Sequence, residues 1–307
     1  MLVLVAPGQG AQAPGFLAPW LDLPGVSDRL AELSATAGLD LAHYGTKAEA
    51  EEIRDTAVAQ PLLVAAGLVA AERLLPGAGA PHTVAGHSVG EITAAAIGGV
   101  LSADAAMAFV RTRSTAMAAA AAVTETGMSA VLGGDPDTVV AHLENLGLTA
   151  ANINGAGQIV AAGTAAQLAA LTADKPEKAR VIPLKVAGAF HTHHMAPAVA
   201  TLDALAGTLE VSDPVLPYVS NTDGKVVAGG AEIVARLVSQ VSNPVRWDLC
   251  MDTFKELGVT AIIELVPGGT LVGLAKRALP GVATLALKTP DDLEAARAIV
   301  AEHGTQE

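Results

Sequence analysis

His82-Thr83-Val84-Ala85-Gly86-His87-Ser88-Val89-Gly90-Glu91 is the stretch around which the rest of the chain can be ordered. It predicts a short strand over 82–85, a sharp turn, and a helix from about Val89 onward. The turn itself, Gly86-His87-Ser88-Val89-Gly90, is a G-x-S-x-G elbow. Glycines on both sides permit a strained bend that lifts the Ser88 hydroxyl above the sheet. The helix that follows directs free N–H groups and its positive dipole end at any oxyanion forming there. Five common letters carry little weight alone, and a surface serine in a tight turn would match them. The strand–turn–helix setting is what makes Ser88 a candidate nucleophile.

The same rhythm extends outward. Leu2-Val3-Leu4-Val5-Ala6 predicts a buried strand that ends in the turn Pro7-Gly8-Gln9-Gly10. Apolar runs without alternation suit a parallel sheet covered on both faces. A helix is expected to start at Gln60-Pro61, with the proline at its first position. Another is expected over 102–120, with Ser102 as N-cap and Asp104 in the first turn. After Ala122 the pattern changes. Strands are predicted at 128–132, 148–153, 158–162 and 181–186, with helices at 136–146 and 165–172. That β-α-β-β-α-β order is the ferredoxin-like split unit. From His191 the α/β alternation returns through 291–301. The expected fold class is therefore α/β: an α/β-hydrolase-like core with a mostly parallel sheet, plus an inserted ferredoxin-like subdomain. Residues 1–122 and 190–307 would form the large part and 123–189 the small one.

Composition narrows the function. The 307 residues are 51% hydrophobic and 16% charged, which excludes disorder for the bulk of the chain. Lys plus Arg number 18 against 31 Asp plus Glu, a net charge of −13, and nucleic-acid binding needs the opposite balance. The most apolar stretch, 62–71, is about half of the ~20 residues that span a bilayer, so no membrane association is expected. The run 2–6 is too short for the core of a signal peptide. The lone Cys250 allows no intramolecular disulfide, which suits a reducing cytoplasm. A cytoplasmic monomer is the expectation.

A serine hydroxyl needs a base. Of eight histidines, His191 in Gly188-Ala-Phe-His191 is the best placed, just beyond a predicted strand where α/β proteins carry functional loops. His87 adjoins Ser88 and is expected to point away across the elbow. His43, His82, His142 and His303 have no supporting context. His191, His193 and His194 lack the carboxylate or cysteine that usually completes a metal site, so no metal is expected.

The sequence resembles the malonyl-coenzyme A:acyl carrier protein transacylase family nearly end to end. The likeness is carried by Pro7-Gly-Gln-Gly-Ala-Gln12, Thr56-Ala-Val-Ala-Gln-Pro61, Gly86-His-Ser-Val-Gly-Glu91, and Arg113 with Met117. It continues through Asn152-Ile-Asn-Gly-Ala-Gly-Gln158, Gly188-Ala-Phe-His191, Ser220-Asn221 with Asp223-Gly224, Asn243-Pro-Val-Arg-Trp247 and Glu264-Leu-Val-Pro-Gly-Gly269. The resemblance implies a malonyl ester on Ser88 and His191 as general base and acid. It implies an oxyanion hole from the backbone N–H groups of Gln9 and Val89, and a Gln240 backbone carbonyl that orients the histidine in place of a triad carboxylate.

Arg113 is implied as the residue that grips the free carboxylate of malonate, which a planar guanidinium can do with two parallel charge-assisted bonds. Arg111 is its near competitor. Gln60 and Asn152 would line the pocket, although a glutamine before a helix-starting proline also serves as a terminus residue. The Ala-Phe-His form implies that Phe190 crowds out an α-methyl group. Val89 and Ala11 depart mildly from the commoner leucine and serine. The partners so implied are malonyl-CoA and an acidic acyl carrier protein bearing phosphopantetheine, with no further cofactor. Lys175, Lys178, Arg180 and Lys185, or Lys276 and Arg277, would supply the positive docking patch. An esterase sharing the elbow is the rival reading. It would order serine, acid, then a late histidine, and would have no use for Arg113.

Overall fold

A computed structural model describes residues 1–186 and 188–305; Ala187, inside the expected insert, and the last two residues of the expected core, Gln306 and Glu307, lie outside the described residues. Leu2–Ala6 is a wholly buried strand in the interior of a six-stranded sheet. Its order is Ala283–Ala286, Ala261–Glu264, Leu2–Ala6, Thr83–Gly86, Tyr218–Val219 and Val226–Val227. The first five run parallel and the last is an antiparallel edge. Alternate side chains leave opposite faces of a strand, and both faces here are covered. Leu2 and Leu4 enter one apolar cluster, while Val3 and Val5 enter another with Trp247 and Phe254.

The register of the two central strands places the elbow. Ala6 pairs with Gly86, and the His87 N–H donates to the Ala6 carbonyl at 3.0 Å, so Gly8 and Gln9 emerge beside Ser88. No side chain would fit at either elbow glycine. A Cβ on Gly86 would lie 2.0 Å from the Gly90 carbonyl carbon, and one on Gly90 would lie 2.2 Å from the Ala6 oxygen.

The second sheet runs Ala179–Pro183, Thr126–Gly133, Gln158–Thr164, Thr149–Gly155, with antiparallel pairing throughout these four. Helices Pro136–Asn145 and Ala165–Ala173 connect them, and Val131, Val139, Leu143, Ile159 and Leu171 form a core of their own. A fifth strand, Val245–Arg246, comes from much later in the chain and pairs parallel with Thr149–Gly155. Two residues carry no readable period, so this link between the sheets was not expected from the sequence.

Helix Ala103–Ala121 has Ser102 as N-cap, its hydroxyl accepting from the Ala105 N–H, and Asp104 in its first turn, as expected. The helix expected to start at Gln60-Pro61 instead spans Thr56–Leu74. Asp55 is its cap, accepting from the Ala57 N–H, and Pro61 lies inside it. Hence Gln60 is an interior residue and not a terminus residue. At 19 residues this helix is long and apolar enough to cross a membrane by length and composition, and 83% of its most apolar window is buried inside the protein. A helix apolar on all sides is what the centre of a large core requires. Helices Val26–Ala37 and Leu41–Thr46 cover its flank and had no counterpart in the sequence reading.

Candidate active site

The elbow holds Ser88 in the left-handed region, at φ 54°. A non-glycine residue there costs on the order of 1–3 kcal/mol and persists only where surrounding contacts enforce it. Asn221 supplies them. Its Oδ1 accepts the Ser88 N–H at 2.8 Å and its Nδ2 donates to the Gly86 carbonyl at 2.7 Å, so one side chain braces both ends of the bend.

His191 also has positive φ, at 61°, with its N–H held by the Val241 carbonyl at 3.1 Å. Its Nδ1 lies 2.8 Å from the Gln240 carbonyl, which can only accept, so the ring proton sits on Nδ1. Nε2 is left unprotonated, 2.7 Å from the Ser88 hydroxyl. Burial and then the nearby Arg113 cation pull the imidazole down to about 3, so it rests neutral. His87 turns to Asn154, with Nε2 2.8 Å from its Oδ1, and packs edge-on against Trp247. It faces away from the serine–histidine pair, although its ring remains part of the cavity wall.

Arg113 is buried on helix Ala103–Ala121, whereas Arg111 is partly exposed. Its Nη1 donates to Gln60 Oε1 at 2.6 Å and its Nη2 to Gln240 Oε1 at 2.8 Å. The same Nη2 stands 3.4 Å from Ser88 Oγ. Burial lowers the guanidinium to about 10, with the Glu91 charge opposing, so it stays cationic at neutral pH.

Ser88 and His191 open onto a cavity of about 230 Å³. Gln9, Gln60, Met117, Asn152, Phe190 and Leu274 are among the residues that line it. Among the described residues, the backbone N–H groups of Gln9 and Val89 have no protein acceptor, the condition an oxyanion hole requires. Asn152 Oδ1 is buried without a partner and Phe190 is buried. Every site residue expected from the sequence is thus gathered within one cavity or directly behind it. Sequence reasoning missed Asn221, the carboxylate of Glu91 and the amide of Gln240. Asn221 and Glu91 stood in quoted motifs, but nothing in the chain reports which side chains meet across such separations. Neither the His193–His194 pair nor any other His, Cys, Asp or Glu group of three or more is arranged to hold a metal among the described residues.

The acyl transferase domain family matches residues 3–297. The malonyl CoA-acyl carrier protein transacylase of Mycobacterium tuberculosis is 54% identical over 297 residues, covering 96% of this chain and 98% of its own. The chain belongs to that transacylase family. The crystal structure of the Mycobacterium tuberculosis MCAT superposes with a TM-score of 0.93 at 53% identity, covering 96% of this chain and 99% of that one. A malonyl-transacylase solved in complex with its type II PKS acyl-carrier protein gives a TM-score of 0.90 at 31% identity, over 97% and 99% of the two chains. Family membership makes the esterase rival unnecessary, and it directs attention to how a cation behind the serine would serve acyl transfer.

Proposed function

We propose that this transacylase moves malonyl from malonyl-CoA to the phosphopantetheine thiol of an acyl carrier protein, through an ester on Ser88. One observation carries the reading: a buried guanidinium 3.4 Å from a serine hydroxyl that itself lies 2.7 Å from an unprotonated histidine nitrogen. A neutral ester gives such a cation nothing to hold. Each terminal nitrogen of Arg113 has two N–H groups, and the glutamines occupy one apiece. Those remaining would take the two oxygens of the malonyl carboxylate.

Ser88 Oγ attacks the thioester carbonyl as its proton passes to His191 Nε2. The Gln9 and Val89 N–H groups receive the oxyanion, and each such donor typically supplies about 2.7–4 kcal/mol of transition-state stabilisation. Collapse breaks the carbon–sulfur bond. The departing thiolate takes the proton from His191 and coenzyme A leaves as the thiol. The carrier's thiol then repeats the sequence in reverse, its proton moving to His191 and back to Ser88. The Gln240 carbonyl keeps the imidazole in the right tautomer and steadies the transient imidazolium. A bound carboxylate also offsets the Arg113 charge that depresses His191, so substrate itself makes the base stronger.

In this reading residues 1–122 and 190–307 are an α/β-hydrolase-like catalytic part and 123–189 a ferredoxin-like insert. The helix and strand order of the insert supports the division, as does a first strand lying between the fourth and the third. The chain acts as a cytoplasmic monomer without metal or further cofactor. Exposed Lys175, Lys178, Arg180 and Lys185 on the insert, with Lys276 and Arg277, offer positive charge to an acidic carrier. The family is served by carriers of fatty-acid or polyketide synthesis. Purified chain given malonyl-CoA and a carrier protein should acylate the carrier faster than it hydrolyses the thioester. Hydrolysis outrunning transfer, or rapid cleavage of neutral esters, would overturn the reading.

A further inference from the structure

Glu91 is a fully buried carboxylate that the mechanism above does not use. Its Oε1 accepts the Asn221 backbone N–H at 2.8 Å, and its Oε2 accepts from Gln240 Nε2 in a short contact. Gln240 Nε2 also donates to the Ser88 carbonyl at 3.1 Å, while its Oε1 accepts from Arg113 at 2.8 Å. Asn221 is the side chain that braces the elbow. One carboxylate therefore touches both the brace of Ser88 and the partner of Arg113.

The donor and acceptor senses along this chain are forced. Arginine only donates, so Gln240 must present oxygen to it and its NH₂ to Glu91. The Asn221 N–H also only donates. Position 91 is thus asked for two acceptors and no donor, which an ionised carboxylate provides and an amide does not. We propose that Glu91 is a positioning residue whose acceptor-only carboxylate fixes the sense of the Gln240 amide and so aims Arg113 at the acyl carboxylate. The inference rests on the reading of Arg113 as the malonate anchor. Burial pushes Glu91 up to about 7, against the pull of the Asn221, Tyr218 and Gln240 donors and the Arg113 cation, so the acceptor-only form prevails above about pH 7, where the comparison below is to be made.

Glu91→Gln separates the two contacts. The new amide can still accept from Asn221 with its oxygen, but its NH₂ then opposes the Gln240 NH₂. Relief requires Gln240 to turn over and present NH₂ to a guanidinium. Charged acyl groups should suffer and uncharged ones should not. In parallel transfers from malonyl-CoA and acetyl-CoA, Glu91→Gln should lower the malonyl preference by about tenfold or more, mainly through KM, with acetyl transfer within about threefold of wild type. Glu91→Ala, which loses both contacts, should slow both substrates. Because each preference is a ratio on one preparation, partial unfolding cancels from it. Equal losses for the two substrates in Glu91→Gln, or an unchanged preference, would overturn the inference while leaving the proposed function standing. A wild-type enzyme with no preference for malonyl would remove the proposed function and this inference together.

Discussion

Replacing Arg113 with alanine should remove malonyl transfer far more than acetyl transfer. The guanidinium is 1% exposed and held by Gln60, Gln240 and the edge of the serine site. Truncating one member of a buried, hydrogen-bonded charge pair costs about 2–5 kcal/mol, here the pair formed with the acyl carboxylate. At about 1.4 kcal/mol per factor of ten, that is about a 30-fold to several-thousand-fold loss in kcat/KM for malonyl-CoA. Acetyl-CoA has no carboxylate to lose. The same substitution orphans Gln60 Oε1 and Gln240 Oε1, about 1–3 kcal/mol each, and strips Glu91 of its cation. The variant will therefore be less stable, and only a ratio of rates on one sample is informative. Both thioesters are to be assayed against the same carrier protein, with carrier acylation followed by mass. A malonyl-to-acetyl ratio that stays within about threefold of wild type would refute the carboxylate anchor.

Four further outcomes follow from the geometry. Asn221→Ala withdraws the Ser88 and Gly86 braces, so kcat should fall by about 10- to 100-fold with KM little changed, since loss of a transition-state contact reads out in kcat; steady-state kinetics would expose the opposite pattern. Phe190→Ser opens the cavity wall and should raise transfer of a methyl-branched malonyl group relative to malonyl in direct competition. Between pH 4.5 and about 7 the folded chain keeps a proton on Glu91 that the unfolded chain has released. Wild-type stability relative to Glu91→Gln should thus be greatest below pH 4.5 and decline as pH rises through about 7. Urea unfolding across that range checks the sign, and an advantage that grows with pH would contradict it. His191→Ala should leave Ser88 without a base and cut malonylation by several orders of magnitude, measured as single-turnover loading.

Much of this molecule is legible along its chain because the features are local. Leu2–Ala6 declares itself by five apolar residues, and Ser102 by its place before an apolar helix. The elbow is legible because only glycine fits where a Cβ would lie 2.0 Å from backbone. Misreadings came where two local signals compete. Gln60-Pro61 looks like a helix start, yet Asp55 caps the helix a turn and a half earlier and tertiary burial carries it through the proline. Val245–Arg246 is too short to show a period and forms only because Thr149–Gly155 offers it an edge. The Glu91, Asn221 and Gln240 network is illegible for a different reason. Its members lie 130 and 149 residues apart in the chain, and their donor senses are set by one another.

The most direct measurement is to expose the chain to malonyl-CoA without any acceptor, quench it, and map the modified peptide by mass spectrometry. A malonyl increment should appear on Ser88, and Ser88→Ala should carry none. Malonyl on any other residue, or carrier acylation at the wild-type rate by Ser88→Ala, would contradict a covalent serine ester.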